Sequence, residues 1–340
     1  MKLSVLTQHD DWQVYLARFK ALDPYALFDI HSIYAFHQNI ESYLLVVESY
    51  DFLLALPFLK HPVPLSLTNH IQYFTAQSIY GFSGYFLTGR QNHYLPDALT
   101  LIEGWLFSQN IIAEFIRFSP LSNVGYPILT EHGYNISPNR LLPILQSFSS
   151  DELPIATECS MSRRAQRSGA KFSSLDSNDY LRFFDVYNKT MQINKASDFF
   201  FYSQDYFRSL FSSNGHDLDY RAFAVSCGET IHAASYFLLR GEFAVYHLGC
   251  NDRTIPGASD YLLRQSILQL LLNGIKFINL TGGRSKDKTD KLFRFKSKFS
   301  NNTQEFCIGT RVLHPDLYNL ALCKYESSVH CGKIDKFIPW

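Results

Sequence analysis

One short stretch concentrates residues that could bind an anion or take part in group transfer. Residues 279–299, NLTGGRSKDKTDKLFRFKSKF, begin apolar, turn on two glycines and then carry seven Lys or Arg against two Asp, with three phenylalanines among them. A local basic cluster can hold a phosphate or stabilise a developing oxyanion. The alternative is a solvated basic edge, which we expect for Lys286, Lys288, Lys291 and Lys298.

A second candidate site is the small-residue loop at Pro256–Asp260, just before the apolar run YLLRQSILQLLL, whose spacing predicts a helix. Free backbone N–H groups and the helix dipole make such a helix start an anion site, and Gly257, Ala258 and Ser259 are small enough for close approach. An ordinary N-cap at Ser259 or at the adjacent Asp explains the same residues equally well.

The strand FAVYHLGC, residues 243–250, precedes this loop and carries Tyr246 and His247. Because side chains alternate along a strand, only one of the two is expected to face a site. His247 could act as a base, since its free pKa lies near neutrality, although a packed and hydrogen-bonded histidine is an equal alternative. Asp252 and Glu229 are candidate carboxylates for binding an amine.

Arginines open the second half of the chain, in SRRAQRSGAKF. Arg163, Arg164 and Arg167 could hold a diphosphate with their planar donors, or simply form a solvated helix face. Tyr187 and Met191, at i and i+4 of a following helix, are better explained as core residues than as ligand contacts.

The elements that must position these residues occur in the same order in both halves. Each half has a run of strands, then a helix such as LPDALTLIEGWLFSQN, then a further strand. This order predicts two α/β units, each with a mixed twisted sheet flanked by helices. We expect an N-terminal domain over 1–150, a C-terminal domain over 151–310, and a helix and tail over 311–340, with the boundary near 145–158.

Composition narrows the function classes. The 340 residues are 46% hydrophobic, and 31 Lys and Arg balance 31 Asp and Glu, so no global field draws in a polyanion. No apolar run reaches the roughly 18 residues of a membrane span, and MKLSVLTQHDDW lacks the features of a signal peptide. The six cysteines show no C-x-x-C spacing, which indicates no metal site and fits a reducing cytoplasm.

Taken together, the pattern resembles the FemAB-like branch of the GNAT acyltransferase superfamily, which has two GNAT-like domains in tandem. The resemblance rests on SRRAQRSGAKF, VYNKTMQ, VYHLGC, ASDYLL and the Gly-Gly turn followed by KLFRFKSKF, with looser matches at ALPF and IRFSPL. It covers about residues 40–300. RTIPGA, from Arg253 to Ala258, comes near the Gln/Arg-x-x-Gly-x-Gly/Ala signature of coenzyme A binding without matching it.

The resemblance implies roles for particular residues. Lys296 would sit at the catalytic centre with Phe295 packed beside it, and His247 is the further catalytic candidate. If this stretch is extended, Phe295 and Lys296 would point to opposite faces and Lys298 would share the face of Lys296. The expected donor site comprises Tyr246, Arg253, Gly257, Ala258 and Ser259. The expected acceptor or phosphate site comprises Arg163, Arg164, Arg167, Gly282, Gly283 and Arg284.

The implied activity is transfer of an acetyl or aminoacyl group from an activated donor to an amine of a cell-envelope glycan or peptidoglycan precursor. The donor is an acyl-CoA or an aminoacyl-tRNA, and nucleic acid is a partner only in the second case. No long charged helical insertion is present and the net charge is zero, so a small donor is favoured. Alternatives are a tRNA-dependent peptidyltransferase of the wall cross-bridge type and a non-catalytic GNAT-like binding module.

Overall fold

The structure, a computed structural model, describes residues 1–90, 92–122, 124–147, 159–212, 218–328 and 336–339. Most of the predicted boundary at 145–158 therefore lies outside the described residues, as does Cys331. None of the helices in the described ranges combines the length and the apolar character needed to cross a membrane.

The chain divides into two compact units. Residues 1–139 and 306–340 form the first, and residues 140–305 form the second. The C-terminal helix therefore belongs to the first unit. The chain passes from the first unit to the second within one strand, β7 (Asn135–Gln146), and returns within another, β13 (Asn302–Val312).

The first unit is a mixed sheet with helices. Its sheet runs β1-β2-β3-β4-β6-β13, with β5 paired to β3, and only the β4–β6 pair among these is parallel. Its other strands are β1 (Lys2–Leu6), β2 (Glu41–Ser49), β3 (Phe52–Pro62), β4 (Phe74–Gln77), β5 (Phe86–Gly89) and β6 (Ile111–Arg117). Its helices are α1 (His9–Leu16), α2 (Phe28–Gln38), α3 (Leu95–Ser108), α4 (Tyr126–Glu131) and α10 (Pro315–Ser328).

The second unit repeats this plan. Its sheet runs β7-β12-β11-β10-β9-β8, and only the β11–β12 pair is parallel. Its strands are β8 (Lys171–Leu175), β9 (Asp219–Cys227), β10 (Thr230–Arg240), β11 (Phe243–Asn251) and β12 (Phe277–Asn279). Its helices are α5 (Ser160–Arg167), α6 (Tyr180–Ile193), α7 (Gln204–Ser212), α8 (Ala258–Leu272) and α9 (Lys291–Ser297).

The order of elements confirms the mixed α/β fold predicted from the sequence. In each unit an antiparallel meander is followed by a helix, α3 or α8, and then by a strand parallel to the last one of the meander. Tight turns at Gly228 and Gly241, both with positive φ, join β9 to β10 and β10 to β11, where the sequence predicts them.

Apolar side chains explain why these elements pack. In the second unit, α8 buries Ala258, Leu262, Leu263 and Ile267 against strand residues such as Phe237. The buried positions Leu262, Leu263, Ser266, Ile267 and Leu270 of α8 follow the spacing of one helical face. In the first unit, α3 does the same with Ala98, Leu99, Ile102 and Leu106.

The extended conformation considered for residues 295–298 is wrong, because this stretch belongs to α9 and its C-terminal cap. Asp290 caps the helix, its carboxylate accepting from the backbone N–H groups of Leu292 and Phe293 at 2.9 Å. Side chains on a helix turn by about 100° per residue rather than alternating. Lys298 accordingly does not share the face of Lys296, and it is exposed where Lys296 is buried.

Candidate functional site

The parallel strands β11 and β12 separate after a short pairing. Their register ends at Val245 opposite Asn279, where β12 stops, while β11 continues to Asn251. We call the space flanked by residues 246–251 of β11 and residues 280–283 after β12 the strand opening. Backbone groups on its two sides are not joined to each other by the ladder, so an extended ligand could bind there.

A bulge in β11 lies at the strand opening. Tyr236 of β10 pairs with Leu248 and Phe237 pairs with Tyr246, which leaves His247 as the additional residue. Tyr246 packs edge-on against Phe237, on the face that α8 covers. His247 instead contacts Tyr206 of α7. Tyr246 and His247 therefore have different neighbours, in line with the expectation that only one of them faces a given site.

His247 is held within an aromatic cluster. Its Nε2 lies 2.9 Å from Tyr206 Oη, and its ring lies edge-on to Tyr236. Burial lowers the pKa of His247 to about 3. A base with so low a pKa takes up a proton poorly near neutrality, so the packed and hydrogen-bonded alternative describes His247 better.

Lys296 reaches the strand opening from α9. It is 5% exposed, and its Nζ donates to Thr281 Oγ1 at 2.7 Å and to the Gly282 carbonyl oxygen at 3.2 Å. The same Nζ lies 4.9 Å from the centre of the Tyr246 ring. These contacts bring Lys296, Tyr246 and Gly282 together, three of the residues singled out from the sequence.

The electrostatic environment of Lys296 is unusual for a lysine. Its two hydrogen-bond acceptors are neutral, and no carboxylate in the described part of the chain forms an ion pair with it. Burial lowers the pKa of Lys296 to about 7, although the carboxylate of Asp290 acts in the opposite direction. A desolvated amine of this kind is partly neutral at physiological pH.

The Gly-Gly turn positions α9. A Cβ on Gly283 would lie 2.4 Å from the carboxylate of Asp290, so the glycine makes room for the helix cap. The Gly283 carbonyl oxygen accepts from Arg140 at 2.7 Å, and the backbone N–H of Arg284 donates to Asp290 at 3.2 Å. The turn therefore fixes the start of α9, while Phe295 packs edge-on against Phe299 in the core of the unit.

Asn279 and Thr281 complete the wall next to Lys296, and sequence reasoning missed both. Asn279 is fully buried, and its Oδ1 accepts from the backbone N–H of Thr281 at 2.8 Å. Thr281 has a φ of 59°, a left-handed conformation that is a genuine outlier for a β-branched residue. The Asn279 Nδ2 finds no acceptor among the described residues.

Oxygen atoms of the protein lie close to the start of α8. A Cβ on Gly257, whose φ is 87°, would lie 2.2 Å from the carbonyl oxygen of Met161, so α5 already occupies this approach. Asp260, which is 8% exposed, lies in the first turn and near Cys159 Sγ at 3.8 Å. A carbonyl oxygen and a carboxylate both disfavour a phosphate at a helix start.

The remaining residues of the expected donor site have partners within the protein. Ala258 is fully buried in the core, and Ser259 accepts from the side-chain amide of Asn251. Arg253 is exposed and donates to Asn194 Oδ1 at 2.6 Å. Gly257, Ala258 and Ser259, which suggested a ligand loop, therefore contribute to the packing of α8 against α5 and the end of β11.

Other candidates lie on separate elements. Arg163, Arg164 and Arg167 lie exposed on α5, and Lys286, Lys288, Lys291, Lys298 and Arg284 form an exposed basic edge. Burial acts to raise the pKa of Asp252, but the backbone N–H of Thr254 and the ring of His232, at 2.9 Å, lower it overall. Glu229 is exposed at a hairpin turn. Tyr187 is buried and its Oη donates to the Phe200 carbonyl oxygen.

Comparisons with known proteins agree with this geometry. A sequence model of the acetyltransferase (GNAT) domain matches residues 160–296, which span α5 to Lys296. No curated protein matches the chain in sequence.

Three solved structures illustrate the fold. FemX superposes with a TM-score of 0.71 at 12% identity, covering 94% of this chain and 99% of FemX. L-PGS from Bacillus licheniformis gives 0.59 at 12% identity, covering 93% and 96%. The tandem GNAT protein from the clavulanic acid biosynthesis pathway gives 0.53 at 8% identity, covering 92% and 99%.

These findings agree with the resemblance inferred from the sequence. Residues 160–296 match the model of the GNAT acetyltransferase domain, and the chain shares its fold with FemX and with the tandem GNAT protein. At these identities the solved structures establish the fold and leave the substrates to be argued from the site.

Proposed function

We propose that this chain is an acyltransferase that moves an acyl group from an activated donor to an amine, with Lys296 as the residue that accepts the proton of the attacking amine. The observation that carries the proposal is the position of Lys296 Nζ at the strand opening, buried and bonded only to the neutral oxygens of Thr281 and Gly282. The match to the GNAT acetyltransferase domain supports the reaction class.

The hydrogen bonds that Lys296 makes are compatible with a role as a base. A neutral amine that donates two hydrogens, as Nζ does here, keeps its lone pair available. Burial without an ion-pair partner favours this neutral form, and the pKa near 7 matches the value at which general bases work best. A lysine with its ordinary pKa would be protonated at neutral pH and unable to accept a further proton, and the lowered pKa of Lys296 removes this obstacle.

The transfer balances with these groups. The acceptor amine nitrogen bonds to the acyl carbon, and the carbonyl π pair moves onto oxygen. Lys296 takes the proton that the nitrogen loses, the carbonyl re-forms, and the donor's leaving group departs. Lys296 then returns its proton to that leaving group, so the enzyme ends in its starting state.

A covalent acyl-lysine is a poorer description of the same site. Acylating Nζ would give an ordinary amide, which is much less reactive than the thioester or ester that formed it. Turnover would then stop at the modified lysine. A proton acceptor explains the buried neutral environment without this dead end.

For the acceptor, we propose an amine of a cell-envelope precursor, either a glycan or a peptidoglycan peptide. The support is the fold shared with FemX, together with the sequence motifs of the FemAB-like branch. For the donor, the alternatives are an acyl-CoA and an aminoacyl-tRNA. The closed start of α8 weighs against coenzyme A, and the basic edge beside α9 offers phosphate contacts that an aminoacyl-tRNA would use.

The decisive test combines two donors with two acceptors. Acetyl-CoA and an aminoacyl-tRNA are each supplied with a peptidoglycan stem peptide or a UDP-linked amino sugar, and product is followed by mass spectrometry. Transfer that is lost in Lys296→Met and kept in Lys298→Met supports the proposal. Transfer at the wild-type rate by Lys296→Met would exclude Lys296 as the base, and the absence of transfer with every pair would favour a binding module.

A further inference from the structure

Next to the strand opening lies a second group whose hydrogen-bonding capacity is unused within the described chain. Asn279 is the last residue of β12 and is fully buried. Its Oδ1 accepts from the backbone N–H of Thr281, whereas its Nδ2 has no acceptor among the described residues. Leaving a buried amide donor unpaired is destabilising, so such groups call for an explanation.

The orientation of this amide is fixed by its neighbour. The two ends of an asparagine side chain are often interchangeable when a structure is interpreted. Here the partner is a backbone N–H, which can only donate, so the oxygen of Asn279 must face Thr281. The unpaired end is therefore the NH₂ group, and what it lacks is an oxygen acceptor.

The surroundings connect this donor to Lys296. Thr281 N–H bonds to Asn279, and Thr281 Oγ1 accepts from Lys296 Nζ, so one strained residue links both side chains. Asn279 is also opposite Val245, the last paired residue of β11 before the bulge. Asn279 is therefore the last residue of the β11–β12 ladder before the strand opening, and Thr281 connects it to Lys296.

We propose that Asn279 Nδ2 donates a hydrogen bond to the acyl oxygen of the bound donor substrate and stabilises that oxygen when it becomes an oxyanion. This inference rests on the proposed function and supplies what that function lacks. Lys296 as a neutral base cannot also be the cation that balances an oxyanion. A preorganised amide in a water-poor site can, because its dipole needs no rearrangement as charge develops.

The same assignment explains the strain at Thr281. With its oxygen engaged by the Thr281 N–H, the Asn279 amide cannot rotate to satisfy its nitrogen elsewhere without releasing that turn. The left-handed Thr281 in turn presents its hydroxyl to Lys296. Local strain maintained at a site in this way is typical of preorganised catalytic geometry.

Two substitutions separate the role of Asn279 Nδ2 as a hydrogen-bond donor from the role of Asn279 Oδ1 in holding Thr281. Asn279→Asp keeps an oxygen for the Thr281 N–H but has no NH₂ group, and Asn279→Leu removes the amide without adding charge. The matched control is Asn301→Asp: Asn301 Nδ2 donates to the Gln146 carbonyl oxygen at 2.7 Å, so this variant loses a hydrogen bond that the protein itself uses. Asn301 lies outside the strand opening.

The assay uses p-nitrophenyl acetate as donor and glycinamide as amine, so it does not depend on the natural donor. We expect both Asn279 variants to slow p-nitrophenolate release by about 10²–10³-fold in kcat with little change in KM, as for loss of an oxyanion donor. Asn301→Asp should keep the wild-type rate while lowering the melting temperature. The rates are also measured as a function of pH. If a variant lost activity only because its Lys296 pKa had shifted, the loss of rate would disappear at high pH.

The outcomes distinguish this inference from the proposed function. Wild-type rates in both Asn279 variants, with Lys296→Met inactive, would overturn the role of Asn279 alone. Equal rates in wild type and Lys296→Met would overturn the proposed function and this inference with it. Loss in Asn279→Asp that is restored at high pH, with full activity in Asn279→Leu, would also refute the donor role.

Discussion

Replacing Lys296 by Met should make the protein more stable at neutral pH and less stable at alkaline pH. Met keeps the apolar stem and removes the amine. The Lys296 pKa falls from 10.5 in the unfolded chain to about 7 in the folded protein, so the unfolded state binds more protons between these values. Wild-type stability must therefore rise as the pH rises from 7 towards 10.5.

The size of the effect follows from the same two values. Their difference corresponds to on the order of 4 kcal/mol of unfavourable free energy below pH 7, which has largely disappeared at pH 10. Against this, Met loses the hydrogen bonds to Thr281 and Gly282, worth about 1 kcal/mol each. The variant should therefore be more stable by about 2 kcal/mol at pH 6–7 and less stable by about 1–2 kcal/mol at pH 10.

Urea unfolding of wild type, Lys296→Met and the exposed control Lys298→Met at intervals from pH 6 to pH 10 measures this directly. Only Lys296→Met should cross the wild-type curve. Single-turnover transfer by the wild type should rise with pH and level off above about 7, as the buried amine loses its proton. Parallel stability curves for wild type and Lys296→Met would refute the assignment of a desolvated, largely neutral amine.

Three other substitutions test the surrounding structure, each by denaturant or thermal unfolding. Gly257→Ala should destabilise by about 1–3 kcal/mol, because its Cβ would meet the Met161 carbonyl oxygen and its φ of 87° suits glycine. Glu114→Gln should cost about 3–5 kcal/mol, since the buried Arg311 would lose its buried carboxylate partner and keep only the more exposed Glu103. Asp23→Asn should gain stability relative to wild type as pH rises from 4 to 7 and then stay constant, because burial raises the pKa of Asp23 to about 7. An unchanged difference in stability between Asp23→Asn and wild type from pH 4 to pH 7 would contradict the expectation for Asp23.

The sequence predicted the fold well because its signals are local and repeated. Apolar spacing identified α3 and α8, and glycine turns identified the hairpins between β9, β10 and β11. It predicted α9 poorly, because the alternation of apolar and basic residues over 293–296 also fits an extended stretch. Asp290 followed by Leu292, Phe295 and Phe299 is a helix cap with apolar residues at helical spacing, and this signal was available.

The site was predictable only in part, for a physical reason. Lys296 stood out by type and spacing, but the pKa of its amine depends on burial among groups distant in sequence, such as Tyr246. Gly257 stood out as a ligand contact, whereas tertiary packing gives its space to Met161. Asn279 resembles any strand-end asparagine until the fold shows that one end of its amide is engaged and the other is not.

These placements bear on how the donor is held. In the second unit the Met161 carbonyl oxygen lies where a Cβ on Gly257 would sit, and Asp260 is buried in the first turn of α8. Lys296 Nζ lies at the strand opening, and the Asn279 amide lies next to it. If Lys296 is the base that we propose, the basic edge on the same segment is a candidate for holding the donor. The exposed lysines before and after Lys296 lie on the same segment as Lys296, so contacts of a donor with this edge would be coupled to the position of α9. Binding energy gained at that edge would thereby help to hold Lys296 at the strand opening, which is a use of remote binding energy for chemistry.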